Sequence, residues 1–314
     1  MRNAFSAETV RARRQMNNDL LNKKSLVEDF LRSHKEQYRL STFSFVNVFA
    51  WQPFFDFEFR NIDGNLCVFA RNELGAFLYL PPLGEKISAG AVAECFADME
   101  TVNKGSGVSR IENVSEDLLA SFSGGRYSFF RKGYEYLYYR KDIVELKGNA
   151  FKPERAAYNH FVKHYRYQYL PFVKSMKAEC LALYDRWAAG RRKKYDQDIY
   201  LEMIKDSREV HRLALEFSRE LELSGRVVLV DGEIRAYSFG YPLNRRCFCV
   251  FLEIADLAVK GLPVFIFREF CAEEGAAQFI NVMDDSGIEN IRRTKLSFHP
   301  CCLEPSYVVT AKGA

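Results

Sequence analysis

Several motifs that would name a chemistry at once are missing. The chain has no Gly-x-Ser-x-Gly elbow, no Walker loop, no Gly-x-Gly-x-x-Gly fingerprint and no His-Glu-x-x-His helix. That weakens serine hydrolase, NTPase, dehydrogenase and metalloprotease readings. No stretch of about 20 apolar residues occurs, so nothing reads as a transmembrane helix. Met1 to Lys24 is basic and polar without an apolar core, which is not the pattern of a signal peptide. The eight cysteines are scattered and form no Cys-x-x-Cys pair. This fits a reducing, cytoplasmic setting better than a disulfide framework. Cys247 and Cys249 on one strand face, or Cys301 and Cys302 beside His299, leave a zinc site conceivable, but free cysteine is commonly a small buried hydrophobe. The formal net charge is only +4, too little to demand nucleic acid or anionic lipid as a partner.

What is present describes a globular chain. Of its 314 residues, 48% are hydrophobic and 27% charged, so a core can be buried. The 27 Phe and 17 Tyr favour β-structure. The length suits two domains of about 150 residues each, here placed at 1–148 and 149–314. The pattern predicts a helix over 17–34 and helical spacing around Phe45 to Trp51. Three strands follow, Phe54 to Arg60, Leu66 to Ala70 and Ala76 to Leu80. A helix over Ser88 to Met99, a strand over Gly107 to Glu112, a short helix over Ser115 to Phe122 and a strand over Tyr134 to Tyr139 complete the first half.

In the second half Pro153 opens a helix whose alternating basic and aromatic residues suit either a phosphate-rich partner or plain amphipathic packing. Tyr167 to Val173 reads as a strand. Helices over Met176 to Ala188 and Tyr200 to Leu223 flank Gly190-Arg-Arg-Lys-Lys-Tyr195, which reads as a solvated loop, with nucleic-acid contact as the alternative. Val227 to Val230 and Ile234 to Tyr241 form a hairpin through Asp231-Gly232. Cys247 to Ile254 is the next strand, Pro263 to Gly275 a helix, and Ala277 to Met283 a returning strand. The last helix starts with the capping-box pattern Ser286-x-x-Glu289.

This C-terminal stretch concentrates polar groups. Ile288, Ile291 and Lys295 stand at i, i+3 and i+7, so the Lys295 ammonium should lie along an apolar helix face. The pattern Asn281-x-x-Asp284-Asp285-x-Gly287-Ile-x-x-x-Arg292-Arg-x-Lys295-Leu-Ser297-Phe-His299-Pro300 resembles the C-terminal signature of phosphatidylglycerol lysyltransferase-type domains and their soluble bacterial relatives. Ser44-Phe-x-Asn47-x-Phe49-x-Trp51 agrees, as do Tyr136-Leu-Tyr138, Leu146-Lys-Gly148-x-x-x-Lys152-x-x-Arg155 and Asn159-x-Phe161. The resemblance covers most of the chain. It implies an α/β (α+β) fold of two tandem acetyltransferase-like (GNAT) domains, each a mixed, mostly antiparallel sheet flanked by helices. It also implies a link to peptidyltransferases that load amino acids onto cell-wall precursors.

Several residues become candidates for chemistry. Glu253 falls at a strand end, on the face that simple alternation shares with Cys247, Cys249 and Phe251. A carboxylate there is either a general base of raised pKa or half of an ion pair with Lys295 or Arg292. Lys295 and Arg292 suit an acyl-transfer oxyanion, and Asp284 and Asp285 suit an amino group or a helix cap. His299 is a proton exchanger or a structural residue, and Asn281 and Ser297 are substrate contacts. Lys260 and Gly261 precede a helix whose N-terminus can meet a phosphate or a tRNA end; Lys152 and Arg155 join this group. The glycine-bearing loop of acetyl-CoA enzymes is reduced to one glycine, which counts against ordinary acyl-CoA binding. The expected reaction is acyl or aminoacyl transfer, with aminoacyl-tRNA or acyl-CoA as donor substrate and a small molecule or lipid headgroup as acceptor. A binding or scaffold protein that keeps the cleft without catalysis is the alternative.

Overall fold

The computed structural model describes residues 15–32, 37–194 and 198–312. Most of the polar stretch from Met1, the last two residues of the expected 17–34 helix and Tyr195 therefore lie outside the described residues. The helices are α1 (15–21), α2 (Lys24–Arg32), α3 (Phe45–Trp51), α4 (Ala89–Asn103), α5 (Arg140–Glu145), α6 (Lys152–His164), α7 (Lys177–Lys194), α8 (Asp198–Glu216), α9 (Leu262–Glu273) and α10 (Glu289–Ser297). The strands are β1 (Asp56–Ile62), β2 (Asn65–Asn72), β3 (Gly75–Leu78), β4 (Ile111–Ser115), β5 (Tyr127–Tyr139), β6 (Tyr167–Pro171), β7 (Ser224–Val230), β8 (Glu233–Pro242), β9 (Cys247–Ala255), β10 (Phe279–Asn281) and β11 (Cys302–Ala311).

The fold is mixed α/β and mostly antiparallel, as the sequence leads one to expect. The expected pair of separate sheets is not what the strands form. They are ordered in one sheet, β1-β2-β3-β4-β11-β5-β10-β9-β8-β7-β6. The chain still divides into two compact units. Unit 1 holds Met1–Lys35, Thr42–Arg131 and Tyr307–Ala314, and unit 2 holds Glu36–Ser41 and Lys132–Ser306.

In unit 1 the turn at Asp63-Gly64, both at positive φ, folds β1 back antiparallel on β2. β2 also pairs β3. The core gathers Phe49, Val68, Leu78, Cys95 and Met99, all at most 1% exposed. Ser44 caps α3 by accepting from the Asn47 backbone N at 3.2 Å. Asn103, at the end of α4, satisfies both the N and the O of Ala76, each at 2.7 Å.

Unit 2 is built on the hairpin β7-β8. Asp231 and Gly232, at φ 51° and 82°, supply the two left-handed residues that a tight hairpin turn needs. β8 pairs β9 antiparallel, while β9 and β10 run parallel through α9. One buried cluster sets Phe248, Val250 and Ile280 against Phe267 and Phe270 of α9. A second sets Val228, Ala236 and Ala255 against Phe161 of α6 and Phe265 and Ile266 of α9.

Three expectations need correction, and one strand was not foreseen. Residues 190–194 are helical rather than loop, since α7 runs to Lys194. β5 begins at Tyr127, not Tyr134. β11 has no counterpart in the sequence reading, because Pro305 and the weak alternation around it hide the strand. The capping box is also absent: α10 starts at Glu289 after Ile288 with no side-chain cap. Ser286, at φ 52°, turns back, and its N and Oγ donate to Asp284 Oδ1 at 3.1 and 3.2 Å.

Candidate functional site

The site is set by where two parallel strands part. β10 pairs β9 at only three positions, Phe279↔Cys247, Ile280↔Phe248 and Asn281↔Cys249. Beyond them the chain stays with β5, through Val282 N to Tyr136 O at 3.0 Å and Tyr136 N to Met283 O at 3.2 Å. β9 continues to Ala255 beside β8, so no described strand pairs Val250–Ala255 on the β10 side. Carboxyl ends of neighbouring parallel strands are where such sheets leave room for a ligand.

Glu253 lies on this parted stretch, but not on the face that alternation predicts. The β8/β9 register passes from Gly240↔Val250 to Phe239↔Leu252, leaving Phe251 without a partner. This one-residue bulge inverts the faces that follow. Glu253 therefore shares a face with Ala255, which packs on α9. Cys249 shares the opposite face with Asn281 and Tyr241, its partners across the ladders. Glu253 Oε2 is buried without a hydrogen-bond partner, and so is the hydroxyl of Ser238, the residue opposite it in the ladder. Burial pushes the Glu253 carboxyl up to about 8, with the neighbouring Ser238 pulling it part of the way back. No cation contributes, so the ion pair with Lys295 or Arg292 is not formed.

Lys295 is half-buried on α10 with Ile291 and Phe298. Its Nζ donates to Val282 O at 2.6 Å, to Met283 O at 3.1 Å and to Asp284 O. An ammonium has three donors, and all three are spent on this turn. The group therefore clamps the chain as it leaves β10, where Met283 takes φ 62°; no donor remains for an oxyanion. Burial lowers its pKa, while Asp284, Glu135 and Asp285 oppose that shift. The Asp285 carboxylate accepts from Tyr136 OH and, at 2.9 Å, from Gly287 N. Together with burial, the first of these bonds holds the Tyr136 phenol up at about 12.

Asn281 is fully buried. Its Nδ2 donates to Arg39 O and to Glu135 Oε2, both at 2.6 Å, and its Oδ1 accepts from Met283 N at 2.6 Å. Glu135 is the participant that the sequence reading missed. It also accepts from Ser41 N and Ser41 Oγ, each at 2.7 Å. Burial pushes its carboxyl up to about 7 despite these bonds. The same stretch is held by Tyr241 OH, donating to Ser41 O at 2.9 Å, and by Asn244 Nδ2, donating to Tyr38 O at 2.7 Å. Residues 38–41 thus lie across unit 2, fastened by β5, β8, β10 and the turn after β8.

The remaining candidates are dispersed. Ser297 Oγ donates to Thr294 O at 2.9 Å within its own helix. His299 is exposed, with Nε2 3.1 Å from Ala150 O and its ring edge-on to Phe151. Arg155 is spent on Leu146 O and Gly148 O. The Arg292, Lys152 and Lys260 side chains are exposed; Lys260 contributes its backbone N, which donates to Tyr165 OH at 3.3 Å. Gly261, at φ 87°, lies so close to α6 that a Cβ would sit 2.1 Å from Ala157 O. Among the described residues no group of three metal-ligating side chains gathers, and the conceived zinc site is not assembled.

These features define a class: a mixed α/β protein in which a parallel strand pair parts beside a crossing helix. The chain belongs to the family described as phosphatidylglycerol lysyltransferase, C-terminal, whose model matches residues 35–310. It is similar to the crystal structure of a conserved protein of unknown function from Bacteroides thetaiotaomicron, at 26% identity and a TM-score of 0.80, covering 93% of this chain and 97% of that one. The C-terminal domain of a putative lysylphosphatidylglycerol synthetase from Agrobacterium fabrum is similar at 16% identity and a TM-score of 0.64, covering 95% and 92%. The structure of L-PGS from Bacillus licheniformis is similar at 20% identity and a TM-score of 0.61, covering 92% of each chain. No curated protein matches the sequence. Among the described residues no helix is long and apolar enough to cross a membrane.

Proposed function

We propose that this chain transfers an aminoacyl group from aminoacyl-tRNA to a hydroxyl or amine acceptor by direct attack, using the parted β9/β10 ends as its reaction site. Family membership supports the transfer class, and the observation that carries the assignment here is Glu253. It is a buried carboxyl at the parting point with an unpartnered oxygen and a pKa near 8. The acceptor oxygen or nitrogen would attack the ester carbonyl carbon of the donor, and the bond from that carbon to the ribose oxygen would break. Glu253 would take the acceptor's proton and return it to the departing ribose oxygen. The family's name suggests phosphatidylglycerol as acceptor, whose glycerol hydroxyl fits this chemistry.

Lys295 and Asn281 act in this scheme as positioning residues, fixing the turn that leaves β10. Exposed Lys152, Lys260 and Arg292 suit donor phosphates, and Asp284 is the carboxylate nearest in sequence that suits an amino group. The two halves, 1–148 and 149–314, would be the GNAT-like repeats.

A second reading has its own support. Lys295, Asn281 and His299 all pair internally, as they would in a protein that binds without turnover. One experiment separates the two. Purified protein is given labelled aminoacyl-tRNAs and phosphatidylglycerol vesicles, with Glu253→Gln in parallel. Transfer that rises as pH passes 8 and falls at least about 100-fold in the variant supports catalysis. Binding of charged tRNA without transfer to any acceptor supports the second reading.

A further inference from the structure

Six of the eight cysteines are buried, and the two that reach solvent, Cys301 and Cys302, are neighbours in sequence. Successive side chains of a regular strand point to opposite faces, which keeps adjacent sulfurs apart. Here the chain bends between α10 and β11, with His299 at φ 52° and Pro300 next, and the two sulfurs come within 3.9 Å of each other. Cys301 is fastened from β5: its N donates to Leu137 O at 2.8 Å and its Sγ to the same oxygen at 3.3 Å. Leu137 lies between Tyr136 and Tyr138, whose hydroxyls bond Asp285 and Lys295 O, so the pair rides on the strand that holds the turn after β10. Burial and the neighbouring Cys302 hold the Cys301 thiol up at about 12.

We infer that Cys301 and Cys302 together chelate one soft, thiophilic metal ion, with Cu(I) as the occupant. A thiolate–metal bond of about 2.3 Å, the zinc value, lets two sulfurs on one ion stand up to about 4.6 Å apart, and the observed gap lies inside that limit. Thiolates select Cu(I), zinc and iron–sulfur clusters. Structural zinc and iron–sulfur centres call for four ligands. Among the described residues no third His, Cys, Asp or Glu joins this pair as a ligand, and His299 is engaged with Ala150 O and Phe151. Cu(I) is satisfied by two thiolates. A disulfide fits less well, because adjacent Cα atoms stand about 3.8 Å apart, below the ~4.4 Å at which disulfides usually begin. On binding, each sulfur gives an electron pair to the ion and its proton to solvent, and nothing is oxidised or reduced. The site does not depend on the transfer reaction, which uses neither sulfur.

The test is an anaerobic titration of the full, reduced chain with Cu(I) held by bicinchoninate, whose coloured complex fades as the protein takes the ion. The expected result is one ion per chain, with both sulfurs then protected from iodoacetamide, as read by peptide mass spectrometry. Cys301→Ser and Cys302→Ser should each weaken capture at least about 100-fold, the upper end of what losing a merely supporting contact costs. Protection in the wild-type chain is read without any variant, so a misfolded serine variant does not block the test. Equal capture by wild type and both variants overturns the inference, as does no capture in competition with the chelator. One ion shared between two chains, or closure of the pair to a disulfide in air with no uptake of Cu(I), overturns it as well.

Discussion

Replacing Glu253 by Gln should change the pH dependence of stability more than stability itself. Glutamine keeps the shape of the protonated carboxyl, so the variant stands in for a carboxyl that never ionises. The wild-type group titrates near 8 in the folded chain against an ordinary value of 4.5. A folded pKa raised in this way means that the native state holds a proton the unfolded chain releases. The stabilisation is complete below pH 4.5 and is lost as pH climbs through 8. The full difference of about 3.5 units corresponds to about 5 kcal/mol. The residue as a whole is half-buried although its Oε2 is buried, and relaxation of the surroundings around the ionised group reduces the expected loss to roughly 2–3 kcal/mol. Melting curves of both proteins at pH 5 and pH 9 test this. Their melting temperatures should keep a nearly constant offset at low pH, and the variant should gain roughly 5–10 °C on wild type by pH 9. Glu135 titrates in the same direction in both proteins and cancels from the comparison. Parallel pH profiles would refute the assignment of a buried, ionisable Glu253.

Two further predictions concern the frame of the site. Lys295→Met fills the space but leaves Val282, Met283 and Asp284 carbonyls without their donor. It should cost about 2–4 kcal/mol in denaturant unfolding, and a loss below ~0.5 kcal/mol would mean that the clamp is unimportant. Gly261→Ala forces a Cβ against Ala157 O at a φ of 87° and should destabilise the α6/α9 packing by at least about 2 kcal/mol. Normal stability in urea would show that α9 shifts freely on α6.

How far the sequence reaches depends on whether the cause is local. The Asp231-Gly232 hairpin was legible because two adjacent residues decide the turn. The α10 face that carries Lys295 was legible from helical spacing. The position of Glu253 was not, because a bulge at Phe251 is decided by how β8 and β9 pair and leaves no mark in the composition of β9. Glu135 was hidden for a related reason. Within Tyr134 to Tyr139 it reads as one acid among tyrosines, and its partners, Ser41 and Asn281, lie 94 and 146 positions away. The Ser286 box matched a true pattern, but Asp284 competes for the same groups and holds Ser286 outside the helix.

The fastening of residues 38–41 has a consequence for which changes the chain tolerates. Tyr38 O, Arg39 O, Ser41 N and Ser41 O make four of the bonds; the Ser41 hydroxyl bonds Glu135 and the Arg39 guanidinium pairs with Glu304 at 3.7 Å. Unit 2 thus fixes the spacing of this stretch through its backbone, alongside the buried side chains of Tyr38, Leu40 and Ser41. Exposed Arg39 is open to replacement by most residues that keep an extended backbone. One residue inserted or deleted between Tyr38 and Ser41 moves every bonded group off its partner at once. Variation in this stretch should therefore run through substitution at fixed length.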